Sequence, residues 1–336
     1  MNDQIIDNPR DAGAFIAKIG KHVTIIDEGI DKAVIEAMNR IEDGRLSLDA
    51  KSFKPAGTIM KADVDWVFMT SALNFSFWIL ENEPQYLVTY KEVTYNGYMS
   101  MLAAITRTLD DGIPLTSPQF YGSITKEKLN EYLIGDKNIP CPMIEERVKC
   151  LHEIADVLTK KYNGSFENCL KECKNSAAEL LKIVVNEFKC FDDSHLYQGK
   201  RVAIHKRAQI LVADLWQLFE GKGICQFNDI DCITMFADYR VPQSLQYFGA
   251  FSYSLELMEI LSKNQILKSG DPFEVEIRGC SIEAVTRIVN RVNEKLKHSS
   301  KTINDIQIDN FLWGFRREKS TEMEQYPYHR VRSIFY

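Results

Sequence analysis

The sequence has no Cys-x-x-Cys pair, no apolar run long enough to cross a bilayer and no block of five or six like charges. Each absence removes a class of protein. The eight cysteines stand at 141, 150, 169, 173, 190, 225, 232 and 280, with no histidine beside them at zinc-finger spacing, so no structural zinc site is expected. Cys169 and Cys173 lie one turn apart on an expected helix, where they read as packing thiols in a reducing compartment rather than as ligands. A membrane span needs about 18 to 20 apolar residues, and the opening MNDQIIDNPRDAG lacks the charged and hydrophobic regions of a signal peptide. A cytoplasmic protein is therefore expected. The net charge of −6, without a basic tract, argues against broad binding to a nucleic-acid backbone.

What remains is a chain rich in core material. Of its 336 residues, 45% are hydrophobic and 11% aromatic, enough to fold without help from metals or disulfides. Helical periodicity dominates, most clearly over residues 144–162, 167–188, 201–219 and 281–296. In the last of these Ile282, Val285, Ile288, Val289, Val292 and Leu296 line one face, with Ser281 available as N-cap. Strand signals are confined to residues 85–94 and 273–277, neither with a clear hairpin partner. The expected fold is mainly α, a single compact multi-helix domain spanning 1–336, with residues 138–142 as the best candidate for an internal boundary.

Five stretches mix aromatics with acids, bases and amides that a plain core would avoid: LNFSFW at 73–78, the segment 94–121, HKRAQILVADLW at 205–216, FADYRVPQ at 236–243 and DNFLWGFRRE at 309–318, followed by the terminal PYHRVRSIFY. An unpaired buried charge costs several kcal/mol, so Asp238, set among Phe236, Ala237, Tyr239, Val241 and Pro242, is either paired for structure or kept for chemistry. On the structural side it caps a helix starting near Pro242 or pairs with Arg240, which reads as a loop brace. The basic trio His205, Lys206 and Arg207 at a helix start hints at an anion, since cations are disfavoured there. Asp309 paired with Arg316 or Arg317 reads as a cap or surface bridge, and the aromatic, basic C-terminus reads as docked.

Together these stretches resemble the queuosine salvage proteins, queuosine 5′-phosphate N-glycosylases, from about residue 65 to the end. The first sixty residues carry no such match, and Met99 and Thr106 depart from the pattern of the family. The resemblance implies a helical fold related in outline to helix-hairpin-helix DNA glycosylases and hydrolysis of queuosine 5′-monophosphate to queuine and ribose 5-phosphate, a salvage step that feeds tRNA modification. No metal or organic cofactor is implied, and neither a stable nucleic-acid complex nor a membrane partner is expected. Such a reaction passes through an oxocarbenium-like ribose, which a carboxylate stabilises; Asp238 is the candidate, with Lys206 acting on that acid or on the phosphate. A 7-deazaguanine carries carbon in place of N7, so catalysis leans on the sugar side. Asn74 and Asp309 are the candidates for reading the base, Phe75 (or Phe77) and Trp313 for stacking on it, and Asp309 or Asp214 for pairing with the amine of queuine. Arg207, His329 and Arg330 are the candidates for holding the phosphate, with Lys206. The competing readings are a glycosylase acting on a base within DNA or RNA, and a helical module that binds a modified nucleoside without turnover.

Overall fold

Where apolar residues recur at helical spacing, helices form. The computed structural model describes residues 4–49, 61, 63–80 and 82–336, and its regular structure is mainly helical with a few short strands. Residues 1–3 of the N-terminal reading and 50–60 of the unmatched segment lie outside the described residues. Among the described residues no helix is long and apolar enough to cross a membrane.

The chain divides into two compact units, each built from three separate stretches. The first comprises Met1–Phe53, Asp193–Gln209 and Ile230–Arg332; the second comprises Lys54–Asp192, Ile210–Asp229 and Ser333–Tyr336. Residues 138–142 fall inside the second unit.

The core of the first unit surrounds the helix Pro272–Lys295, which Asp271 caps by accepting from the Phe273 amide at 2.9 Å with Pro272 in the first turn. The expected strand at 273–277 is part of this helix, and Ser281 is not its cap. Residues 274–282 are buried on every side, so that section shows no amphipathic stripe to reveal a helix, and the Ser281 hydroxyl donates to the Ile277 carbonyl one turn back at 2.7 Å. The helix Pro9–Ile19 packs closely on it. A Cβ at Gly279 would come within 2.4 Å of the Ile16 side chain, so only glycine allows this approach.

Two other expected helices are shorter than their apolar periods suggest. The segment 167–188 is split into Phe166–Glu172 and Ala177–Glu187, because Lys174 and Asn175 turn through left-handed backbone and Ser176 caps the second helix. The segment 201–219 begins as the strand Lys200–Ala203, paired antiparallel with Ser194–Tyr197 and parallel with Gln4–Ile6. Left-handed Gln198 and Gly199 make the two-residue turn between the antiparallel strands, and the helix Lys206–Leu218 begins after left-handed His205. In the second unit the expected strand at 85–94 is the hairpin Leu87–Tyr90 with Val93–Asn96, turned by left-handed Lys91 and Glu92. The second core is aromatic, with Phe68 stacked on Phe166 at 3.9 Å between ring centres and Phe188 edge-on to Phe68 at 4.8 Å.

Candidate active site

Asp238 ends the irregular run before the short helix Val241–Tyr247. Its Oδ1 accepts from the amides of Arg240 at 2.7 Å and Val241 at 2.9 Å, so the acid does cap this helix. Among the described residues Oδ2 has no hydrogen-bond partner and the carboxylate forms no ion pair. One oxygen is fixed and the other makes no such bond. The brace expected of Arg240 takes another form: its guanidinium donates to Gln243 Oε1 at 2.9 Å and lies 4.4 Å from the centre of the Tyr328 ring, with no acid partner.

Two further titratable groups sense this acid. Lys206, in the first turn of Lys206–Leu218, is buried, and among the described residues its Nζ forms no ion pair. Burial pushes its pKa down to about 8, opposed by the charge of Asp238 and, more weakly, that of Asp309. Asp309 lies on the helix Asp305–Glu318, where Asp309, Trp313 and Arg316 stand at i, i+4 and i+7 on one face. Its Oδ1 accepts from the Phe236 amide at 2.9 Å, and burial followed by the Asp238 charge holds it well above the usual carboxylate range. Asp309 is thus a buried acid whose protonated form is favoured, not the surface partner of Arg316 or Arg317. Trp313 is half-buried on the first core and carries the Arg317 guanidinium 4.9 Å from its ring centre.

A buried network that the sequence did not reveal holds these pieces. The Asp193 carboxylate takes both Arg278 Nη atoms, at 3.0 and 2.6 Å, the ring of His195 at 3.0 Å and the Lys206 amide at 3.0 Å. Arg278 also donates from Nε to the Ala237 carbonyl at 2.9 Å and pairs with Glu274 at 3.2 Å. Arg278 therefore grips the residue before Asp238 with one edge and the acid that caps Lys206 with the other. Gln209 adds a second tie, accepting from the Thr234 amide at 2.8 Å while donating to the Ile204 carbonyl at 3.0 Å. Arg207 and His329 are buried in the same unit, and burial together with the charge of Arg278 pushes the His329 imidazole down to about 3. A neutral imidazole is a poor phosphate clamp.

The second unit holds the other candidates. LNFSFW is neither helix nor strand after Leu73, and left-handed Ser76 turns it. Ser76 takes the Tyr336 carbonyl through its amide at 3.0 Å and the Ser333 carbonyl through its hydroxyl at 2.8 Å, so the C-terminus is docked within this unit. Buried Arg147, unmarked in the sequence, donates to the carbonyls of Leu73, Phe75 at 2.8 Å and Pro142 at 2.8 Å. Its guanidinium lies 4.3 Å from the centre of the Phe75 ring and 4.9 Å from that of Phe77. The Phe75 ring is enclosed, whereas Phe77 is half-buried beside Tyr98. Asn74 is buried, and among the described residues its side-chain amide makes no hydrogen bond. Burial, then the Asp214 charge, raises the pKa of Tyr98, opposed by the Thr70 hydroxyl beside it. Cys169 and Cys173 are buried, with thiol pKa values raised by burial, and among the described residues no cluster of three His, Cys, Asp or Glu could hold a metal.

Comparison with known proteins decides the family. Residues 54–336 match the family described as queuosine salvage protein. The chain belongs to the queuosine salvage protein family. It is 40% identical over 336 residues to a queuosine 5′-phosphate N-glycosylase/hydrolase of Bos taurus, with 98% of each chain covered. Proteins of the same name from Schizosaccharomyces pombe and Sphaerobacter thermophilus are 39% and 34% identical, covering 81% and 82% of this chain and 83% and 82% of their own. The match to the bovine relative takes in the first sixty residues, which carried no resemblance by eye.

Proposed function

We propose that this queuosine salvage protein hydrolyses the N-glycosidic bond of queuosine 5′-monophosphate, releasing queuine and ribose 5-phosphate. The observation that carries the reading is Asp238, with Oδ1 locked by two amides, Oδ2 open, and a buried lysine and a buried acid of raised pKa sensing its charge. As the bond from C1′ to the base breaks, positive charge grows on the ribose, and a fixed carboxylate in a partly desolvated pocket stabilises it. Water then adds to C1′ and gives up a proton, while the base leaves with the bonding pair and gains one. Lys206 opposes the charge of Asp238, and Asp309, whose raised pKa favours the protonated form, donates to a heteroatom of the leaving base. Trp313, on the helix of Asp309, is the stacking face for the base. The fold is related in outline to the helix-hairpin-helix glycosylases, and the enzyme acts in the cytoplasm on a free nucleotide without a stable nucleic-acid complex. Named relatives along almost the whole chain support this over a polymer substrate.

The cap leaves a second reading open, in which the acid only starts a helix. An Asp238→Asn variant separates the two, because an amide oxygen accepts from the same two N–H groups. Incubated with queuosine 5′-monophosphate without added metal, the wild type should release queuine. The folded variant should lose turnover by about 10³-fold or more, as expected for a lost charge at the transition state. A variant that folds, binds and turns over normally returns Asp238 to structure alone.

A further inference from the structure

No helix or strand covers residues 233–238, the run that delivers Asp238, yet residues 233–237 are buried. A buried irregular backbone has to find its hydrogen-bond partners outside a ladder. This one finds them on three helices. The Thr234 amide donates to Gln209 Oε1 at 2.8 Å and the Phe236 amide to Asp309 Oδ1 at 2.9 Å, while the Ala237 carbonyl accepts from Arg278 Nε at 2.9 Å. The Asp238 amide then donates back to the Phe236 carbonyl at 2.6 Å, a tight three-residue turn just before the acid. Gln209 is the neutral member of the three and is 0% exposed. Its amide works at both ends: Oε1 also meets the Thr234 hydroxyl at 3.0 Å, and Nε2 donates to the Ile204 carbonyl at 3.0 Å. Ile204 directly precedes left-handed His205 and the helix start at Lys206. One buried side chain therefore spans from the turn that sets Lys206 to the run that carries the acid.

We propose that Gln209 is a positioning residue for the hydrolysis, holding residues 234–238 in register with the turn at 204–206 and so setting where Asp238 stands relative to Lys206. The inference rests on the reading of the protein as a nucleotide N-glycosylase and adds a residue that acts through Asp238 rather than on the substrate. Arg278 and Asp193 already join the Ala237 carbonyl to the Lys206 amide. A single tie is a pivot. The second tie, three residues earlier at Thr234, stops the run from turning about it, and two separated ties fix an orientation where one fixes only a point. An amide is the side chain that suits this place, because Oε1 faces two donors and Nε2 faces an acceptor. A carboxylate would set oxygen against the Ile204 carbonyl, and a methionine fills the space but makes none of the three bonds.

The test uses the whole chain with queuosine 5′-monophosphate as substrate, and amide hydrogen exchange as a second readout. In Gln209→Met, kcat should fall by about tenfold to a hundredfold with KM within about twofold, the range for a catalytic group displaced by about 1 Å. Amides 234–238 should exchange about tenfold faster or more, while those of the helix Pro272–Lys295 stay as in the wild type. Thr234→Val keeps the β-branched shape and removes one contact, so kcat should fall by about twofold to tenfold, and Thr234→Ser, which keeps the hydroxyl, should stay close to the wild type. The double variant of Gln209→Met with Thr234→Val should be no slower than Gln209→Met, since the hydroxyl has then already lost Gln209. Should Gln209→Met fail to fold, the two Thr234 variants carry the test. A folded Gln209→Met with normal kcat would overturn the proposal. So would a loss divided equally between kcat and KM, a Thr234→Ser as slow as Thr234→Val, or effects that multiply in the double variant. If the wild type releases no queuine, the glycosylase reading fails; faster exchange confined to 234–238 in Gln209→Met would still show that Gln209 holds the acid in place, and unchanged exchange there would remove that role as well.

Discussion

Asp238 caps a helix through one oxygen of its carboxylate and leaves the other without a hydrogen bond among the described residues. The cap fixes Oδ1 and so fixes the rotamer, which leaves Oδ2 at a defined point without further cost on binding. The sequence marked Asp238, Lys206 and Asp309 as unusual by their surroundings, but charge states are set by neighbours distant in sequence and were not legible. Lys206 is the clearest case. Its pKa lies near about 8 in the fold against an ordinary 10.5, so the ammonium is held at neutral pH and lost within the working range of many assays. If that ammonium orients Asp238, kcat/KM for queuosine 5′-monophosphate should fall as pH rises through about 8, with the slope of one proton. The Lys206→Met variant should be slower and should lack this limb. The sign for stability is the reverse: a lysine with a depressed pKa disfavours the fold while it is charged, a penalty that fades as pH rises from about 8 toward 10.5. Activity lost at high pH together with unfolding would contradict the assignment, because the same deprotonation should steady the protein. A wild-type profile flat to pH 9.5 would remove Lys206 from the chemistry.

The elements that place these residues were legible in unequal measure. Helices with one wet face, such as Ile144–Lys161, show their period in the sequence. The helix Pro272–Lys295 was read as a strand plus a helix, since Val275, Ile277 and Cys280 are buried around its whole circumference and leave no polar stripe. That misreading hid Arg278, which stands in the middle of the buried section, and with it the pair to Asp193. The Asp193–Arg278 pair is a positioning device. It ties the Lys206 amide to the Ala237 carbonyl, so the start of one helix and the loop of the acid move together. Removing one partner of the Asp193–Arg278 pair leaves the other buried without it, which costs about 3–5 kcal/mol, whereas removing both leaves only Glu274, which loses Arg278 in either case. In denaturant melts Asp193→Asn and Arg278→Met should each destabilise by that order, and the double variant by clearly less than their sum. Arg278→Lys, too short and unforked to reach both targets, should fold yet lower kcat more than it raises KM. Additive single effects, or a lysine variant with normal kcat, would show that the pair only fills space.

At the scale of the whole molecule the chain is interleaved, and this is where sequence reading had least to work with. Each unit is closed by segments far apart in the chain, and no linker composition marks the crossings at 192–193, 209–210, 229–230 or 332–333, because both sides of each are equally apolar. Mostly helical content and a docked C-terminus were readable; the pairing of the last four residues with LNFSFW was not, since nothing local encodes it. Ser333–Tyr336 completes the second unit through three hydrogen bonds with Ser76 and a Tyr336 residue that is 2% exposed. Those bonds also hold Ser76 in left-handed backbone, a conformation costing a non-glycine residue about 1 kcal/mol or more unless its surroundings enforce it. Deleting residues 333–336 should cost about 5 kcal/mol, from about 2 for the buried ring and about 1 for each of the three hydrogen bonds. Amides at 74–77 should then exchange with solvent at least tenfold faster, because Ser76 relaxes and takes Asn74 and Phe77 with it. If Asn74 and Phe77 meet the base, the truncated protein should also bind queuine more weakly under conditions where it is still folded. Slow exchange at 74–77 after truncation would mean that Arg147, through the carbonyls of Leu73 and Phe75, holds the loop alone and that the tail only covers it.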